Sequence, residues 1–149
     1  MTVATDTLKE LSIFSCPHER WRLGEPPDQL IFPGLGIAFQ GDRISLLITG
    51  ELCGAPLRAA YSRADLMVLA SPREGFGIVC LEAMHCGLPV IASNDGAAPE
   101  LTEHEEHALL VDPTDSRAFA ATLQRVFAEP HLLPAVGNAA RARALRHPT

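Results

Sequence analysis

LMVLASPREGFGIVCLEAMHCGLPVIAS, residues 66–93, places two apolar runs, 66–70 and 89–93, on either side of a segment with helical spacing. Short runs that are apolar without interruption suit strands buried on both faces, as parallel sheets require. Between them FGIVCLEAMHC (76–86) reads as a helix that Gly87 ends and Pro89 keeps from resuming. Strand, helix and strand in this order form the repeating unit of a parallel sheet covered by helices.

The same alternation continues in both directions. ISLLI (44–48) is a strand candidate, and Pro56 followed by Leu57, Ala60, Tyr61 and Ala64 marks a helix with one apolar stripe. Downstream, the turn-rich SNDGAAP leads to a short helix expected near Glu100 to Glu105, and ALLVD (108–112) is a further strand. Asp115 is a good N-cap for a helix whose buried face is Phe119, Leu123, Val126 and Phe127. Residues 131–147 read as a last helix, rich in alanine and arginine, with Gly137 weakening its middle.

Residues 1–40 differ in kind. WRLGEPPDQLIFPGLGIAFQGD (21–42) has proline and glycine without a sustained period, and only LIF or GIAF could be a strand there. The expected organisation is an irregular segment over 1–40 and one Rossmann-like α/β domain over 41–147. A chain of 149 residues, 47% hydrophobic, is long enough for one such core and too short for two full-sized ones.

Composition excludes several functions. The formal charge is −6, and Lys9 is the sole lysine among basic residues scattered without a cluster that could track a phosphate backbone, so nucleic acid is not an expected partner. No apolar run approaches the roughly 20 residues of a membrane span, and the first residues lack the pattern of a secretory signal. A cytoplasmic location is therefore expected, with membrane contact at most peripheral. Cys16, Cys53, Cys80 and Cys86 form no C-x-x-C pair, which favours buried free thiols over a disulfide or a zinc site.

The chemistry concentrates where the first strand of the opening stretch meets its helix. In open parallel sheets, ligands sit beyond the carboxyl ends of the strands, and SPREGFG lies on that edge. Gly75 and Gly77 allow close backbone approach, and the amides of a first helical turn favour an anion such as phosphate. Glu74 and Glu82 stand eight positions apart, about 12 Å if the whole stretch were helical. Carboxylates accept hydrogen bonds from hydroxyls, so paired sugar hydroxyls suit both. A glutamate on a helix is also commonly just solvated, and strand-glycine-helix junctions recur in doubly wound proteins. The residues alone leave both readings open.

Other polar groups have simpler explanations. His104 and His107, in EHEEH, have the spacing of a metal pair on a helix, yet a solvated acidic helix end accounts for them without a third ligand. His85 suits the carboxyl end of its helix, and Ser71 has no evident base. The arginines of RARALR (141–146) read as a solvated face.

Taken together, Y61-SRADLMVLASPR-E74-GFGIVCL-E82-AMHCGLPVIAS, then GAAPEL (96–101) and ALLVDPTD (108–115), resemble the C-terminal domain of the group 1 glycosyltransferases, also called glycosyltransferase family 4. The resemblance runs from Gly41 to Arg146, with its motifs in order. It implies GT-B architecture, two Rossmann-like domains around a cleft, of which this chain corresponds to a truncated C-terminal half. It implies a retaining transferase of hexosyl type whose donor is a UDP-, GDP- or ADP-linked sugar, with no metal or other cofactor. Glu82 matches the second glutamate of the E-x7-E motif, which binds the ribose hydroxyls. Glu74 matches the first, beside the donor sugar, and is the catalytic candidate. Gly75, Phe76, Gly77 and Ile78 fall where backbone amides approach the sugar and diphosphate.

Two departures qualify what the resemblance implies. The 149 residues hold no counterpart of the acceptor-binding N-terminal domain, and no G-R…K-G segment precedes residue 41 to neutralise the diphosphate. Arg58, Arg63 or Arg73 are the available substitutes, and Arg73 is the best placed by sequence. The alternative reading is a non-catalytic or split-enzyme subunit that needs an acceptor-binding partner. An uncovered sheet edge would further favour a homodimer or a heteromeric complex. A flavodoxin-like nucleotide binder fits the fold pattern but leaves the ordered motifs unexplained.

Overall fold

The computed structural model describes residues 29–32, 35–40, 43–48, 52–73 and 77–147, the first three ranges by their backbone alone. Its centre is a six-stranded sheet in the order β3-β2-β1-β4-β5-β6. The strands are β1 (Gln29–Phe32), β2 (Leu35–Gln40), β3 (Arg43–Ile48), β4 (Leu66–Leu69), β5 (Val90–Ser93) and β6 (Leu109–Val111). The helices are α1 (Gly54–Arg63), α2 (Ile78–His85), α3 (Ala98–Leu101), α4 (Ser116–Ala128) and α5 (Leu132–Ala144).

The apolar runs of the opening stretch became β4 and β5, and every residue of both is buried. They pair in parallel, Met67 opposite Val90 and Leu69 opposite Ala92, and β5 pairs in parallel with β6, Ile91 opposite Leu109. Because side chains alternate along a strand, the two faces hold separate cores. On one, Met67, Leu69, Val90 and Ala92 meet Tyr61 of α1, Cys80, Ala83 and Met84 of α2, and Ala140 and Ala144 of α5. On the other, Leu66, Val68, Ile91, Leu109 and Val111 meet Val126 of α4 and Leu133 of α5. Each large aliphatic side chain so buried stabilises the fold by about 1.5–3 kcal/mol. This is the α/β, Rossmann-like arrangement that the sequence leads one to expect.

The sheet departs from the expected purely parallel form on one side. LIF and GIAF lie in β1 and β2, so residues 29–40, expected to be irregular, include two strands. β1 runs parallel to β4, but β2 pairs antiparallel with β1 and β3 antiparallel with β2. β1 ends at Phe32 and β2 begins at Leu35, a separation in sequence that only antiparallel neighbours can bridge. ISLLI is therefore a strand of an antiparallel meander. With β1 beside it, β4 is an interior strand, and among the described strands β3 is the outermost on that side. Residues 1–28 lie outside the described residues, and Cys16 with them.

Helix ends follow local chemistry. α4 begins at Asp115, whose Oδ1 accepts from the backbone N–H groups of Arg117 and Ala118, both at 3.0 Å. Val126 of its expected face is buried, and Phe119 and Leu123 pack partly buried against the same core. α2 ends at Gly87, φ 76°, where Leu88 N–H reaches the Ala83 carbonyl at 3.1 Å and Gly87 N–H the Met84 carbonyl at 2.8 Å. That pair of bonds is a Schellman motif, and the left-handed backbone that it needs is one glycine adopts at little cost.

The helix expected from Glu100 to Glu105 is shorter and earlier. α3 ends at Leu101, and Thr102 turns to extended backbone. His104 then bridges Ala108, and Glu105 takes φ 64°. The histidines make this possible by accepting backbone hydrogen bonds: Leu110 N–H donates to His104 Nδ1 at 2.9 Å, and Glu103 N–H to His107 Nδ1 at 3.2 Å. Glu105 also pairs with Arg125 of α4, tying this turn to the helix beside it. Among the described residues no helix is long and apolar enough to cross a membrane.

Candidate functional site

The loop after β4 leads to α2, as the sequence implies. Arg73 is exposed and has φ 55°, an unusual value for a residue with a side chain. Glu74, Gly75 and Phe76 lie outside the described residues, so their expected roles are not placed by the structure. Gly77 is the N-cap of α2, buried and left-handed at φ 64°. A Cβ there would lie 3.7 Å from Leu101 Cδ1, ordinary contact, so the reason for glycine is the backbone. Ile78 follows, 54% exposed although it is a large aliphatic residue.

Two sequence features thus coincide at one end of α2. The first turn of a helix carries amides without intrahelical partners, and the helix dipole makes that end favourable to anions. Gly77 brings no side chain of its own to this end, and Ile78 is exposed there. Glu82 stands one turn further, four residues after Ile78, half-buried rather than fully solvated.

Around Glu82 the structure adds a residue that sequence reasoning counted only as core. Tyr61 of α1 is 4% exposed and packs in the core with Cys80, Ala83 and Met84 of α2. Its hydroxyl has no hydrogen-bond partner among the described residues. Burial pushes this phenol well above its ordinary range, and the negative charges of Glu82, Cys80 and Cys86 push it further. The signal in the sequence was a residue with a polar tip on the apolar stripe of α1.

The far end of α2 has its own set of groups. Cys86, the C-cap, is half-buried; burial raises its thiol, Arg141 and Arg58 oppose that shift, and Glu82 adds to it. Arg58 therefore exerts its charge at the carboxyl end of α2, away from the amides of the first turn. Of the three substitute cations, only Arg73 lies in the loop that enters α2. Cys80 is buried and Cys53 exposed. His85 Nε2 approaches the His147 carbonyl at 3.4 Å, a structural contact at the helix end.

The loop after β5 lies on the same sheet edge. Buried Ser93 accepts from the Asp95 N–H at 2.9 Å, and Asn94 N–H donates to the Val111 carbonyl at 2.8 Å, fixing the start of that loop against β6. α3, which follows, sets Leu101 beside Gly77. Arg143 holds α3 from behind: its Nε donates to the Leu101 carbonyl at 2.9 Å. RARALR is thus more than a solvated face, since half-buried Arg143 ties α5 to α3.

The histidine pair of EHEEH is not on a helix. His107 instead gathers with Glu103 and Glu106, whose ligand-type atoms lie within 4.8 Å of one another. The glutamates are exposed, and His107 Nδ1 already accepts from Glu103 N–H. Acidic surface groups gather in this way without an ion.

Comparison with known proteins places this geometry. The family described as glycosyl transferases group 1 matches residues 44–143. A D-inositol 3-phosphate glycosyltransferase of Saccharomonospora viridis is 37% identical over 93 residues, which are 62% of this chain and 22% of that protein. Among solved structures, sucrose-phosphate synthase from Thermosynechococcus elongatus superposes with TM-score 0.61 at 39% identity, over 65% of this chain and 24% of the other. Anabaena HepE in complex with UDP gives TM-score 0.57 at 33% identity, over 65% of this chain and 26% of the other. The C-terminal domain of a group 1 family glycosyl transferase, LpcC, from Francisella tularensis gives TM-score 0.58 at 29% identity, over 66% of this chain and 51% of that domain. The chain spans about a fifth of the length of the curated relative, which is 22% covered.

Proposed function

Because the chain belongs to the group 1 glycosyltransferases, we propose that its edge at the start of α2 binds a nucleotide-activated sugar, as the donor side of a retaining transfer to an acceptor hydroxyl. The observation that carries this reading is α2 itself. A left-handed glycine N-cap starts α2 beyond the carboxyl end of β4, and half-buried Glu82 follows one turn later on the same helix. The HepE structures, with UDP and with UDP-glucose, support a nucleotide sugar as the ligand class.

On this reading the diphosphate meets the amides of the first turn, where the helix dipole favours negative charge. Glu82 accepts from the ribose hydroxyls, two of which one carboxylate can engage. Glu74, by the family resemblance, lies at the donor sugar. In the transfer the anomeric C–O bond to the diphosphate breaks, the acceptor oxygen bonds to that carbon on the same face, and the acceptor proton passes to the departing phosphate oxygen. The leaving diphosphate gathers charge as the bond breaks, so donors aimed at it lower the barrier. Arg73, which precedes α2 in sequence, is the candidate cation to add to them. No metal is assigned a role.

A second reading keeps the donor site but assigns the acceptor side to another protein. By the family resemblance the matched region corresponds to the donor-binding domain, and a solved relative, LpcC, is described as a C-terminal domain. Calorimetric titration of the purified chain with UDP, GDP and ADP, and then with their glucose and mannose conjugates, tests the reading common to both. Binding of at least one carrier is the expected result, and no heat from any of them contradicts it. Glycosyl transfer by the chain alone would then favour the first version over the second.

A further inference from the structure

The buried hydroxyl of Tyr61 is a donor in search of an acceptor. Its residue is 4% exposed, and among the described residues nothing accepts from it. Leaving such a donor unsatisfied counts against folding, and a phenylalanine in the same place would avoid that cost. The ring lies in the core cluster with Cys80 and Ala83 of α2, against which Val79 and Cys86 also pack. Val79, Ala83 and Cys86 are the helical neighbours of Glu82, three before it, one after it and four after it. Glu82 thus borders the α2 surface that Tyr61 covers, and its negative charge is the largest among those that bear on the phenol.

We propose that Tyr61 is a positioning residue for Glu82: its hydroxyl donates to the Glu82 carboxylate when nucleotide is bound, fixing the carboxylate that accepts from the ribose. This inference rests on the donor-binding reading of Glu82. A carboxylate has two oxygens and several lone pairs, so one bond from Tyr61 leaves capacity for ribose hydroxyls. A charged acceptor makes the bond stronger than one between neutral groups. Formed together with the ribose contacts, the bond holds the Glu82 carboxylate in the orientation that the ribose hydroxyls meet, and so adds to affinity only when those hydroxyls are present. Cys80 and Cys86, the other groups around the phenol, are thiols and poor acceptors. The arrangement explains why a tyrosine rather than a phenylalanine occupies a stripe that is otherwise Leu57, Ala60 and Ala64.

The test compares Tyr61→Phe, Glu82→Ala and the parent chain for binding of UDP and of 2′,3′-dideoxy-UDP, which lacks both ribose hydroxyls; the tightest carrier and its dideoxy form replace these if UDP is not preferred. Tyr61→Phe should weaken UDP binding by about tenfold, the equivalent of one hydrogen bond to a charged group. It should leave dideoxy-UDP binding unchanged and the melting temperature equal or higher, because the fold loses only an unpartnered hydroxyl. The double variant should bind UDP no more weakly than Glu82→Ala alone. Equal loss for UDP and dideoxy-UDP would assign Tyr61 a general packing role and overturn the proposal. Loss with Glu82→Ala but none with Tyr61→Phe overturns the positioning role while leaving the donor site in place. No loss with Glu82→Ala overturns the donor reading, and this inference with it.

Discussion

Gly137 of α5 faces the carbonyl oxygen of Gly87 so closely that a Cβ on Gly137 would stand 2.5 Å from it, and 3.3 Å from the ring of Pro89. Helix α5 therefore rests directly on the turn that joins α2 to β5. The glycine that weakens α5 as an isolated helix is what allows α5 to approach the sheet.

Gly137→Ala tests that contact. Alanine should raise helix propensity by about 1 kcal/mol, but the clash is with backbone, which cannot swing away. Overpacking of this kind costs about 1–3 kcal/mol. Urea unfolding should show a net loss of stability; an unchanged or higher midpoint would show that α5 does not rest on Gly87.

Gly77→Ala separates backbone strain from crowding at the start of α2. The added methyl meets Leu101 Cδ1 at 3.7 Å, which is tolerable, but φ 64° is costly for alanine. A loss of about 1 kcal/mol is expected in thermal or chemical unfolding. Nucleotide affinity should fall as well, because relaxing that dihedral re-aims the first-turn amides. Full stability together with full affinity would mean that the left-handed N-cap has no role.

Acid sensitivity has an identified contributor in the turn before α4. Asp112 Oδ1 accepts from the Thr114 N–H at 2.8 Å and from the Thr114 hydroxyl at 2.7 Å. These bonds hold its carboxyl below the ordinary 3.8, the hydroxyl bond being the larger cause. A depressed carboxylate stabilises the fold above its unfolded value and loses that contribution as pH falls through the folded one. Asp112→Asn should therefore be less stable than the parent at pH 6, and the difference should shrink below about pH 3.8. A difference that stays constant from pH 6 to pH 2 would exclude this linkage. Asp112 is exposed, and the effect is accordingly small.

What could be read from the sequence was whatever local pattern determines. β4, α2 and β5 follow from continuous apolar runs, a helical period and a Gly87-Pro89 stop, and Asp115 declares its own helix. The short helix was misplaced because EHEEH has good helix formers, while its histidine rings instead accept backbone hydrogen bonds that stabilise a turn. The β1–β2–β3 meander was hidden because glycine and proline in 33–41 mark turns and also dilute the alternation of strands. Gly137 could not be read correctly from α5 alone, since its reason lies on another element, at Gly87. At the candidate site, the positions of Gly77 and Glu82 at and along α2 were legible from spacing. Tyr61 and Arg143 were not, because each acts through a partner more than 20 residues away in sequence.

The most direct test is the affinity of the chain for UDP, or its preferred carrier, with and without Glu82→Ala, measured by calorimetry at fixed salt and pH. Measurable binding by the parent is expected, with a loss of about tenfold or more in the variant, because a charged acceptor of ribose hydroxyls is removed. Equal affinity of the two proteins, with both folded, would contradict the assignment of this helix to a nucleotide sugar.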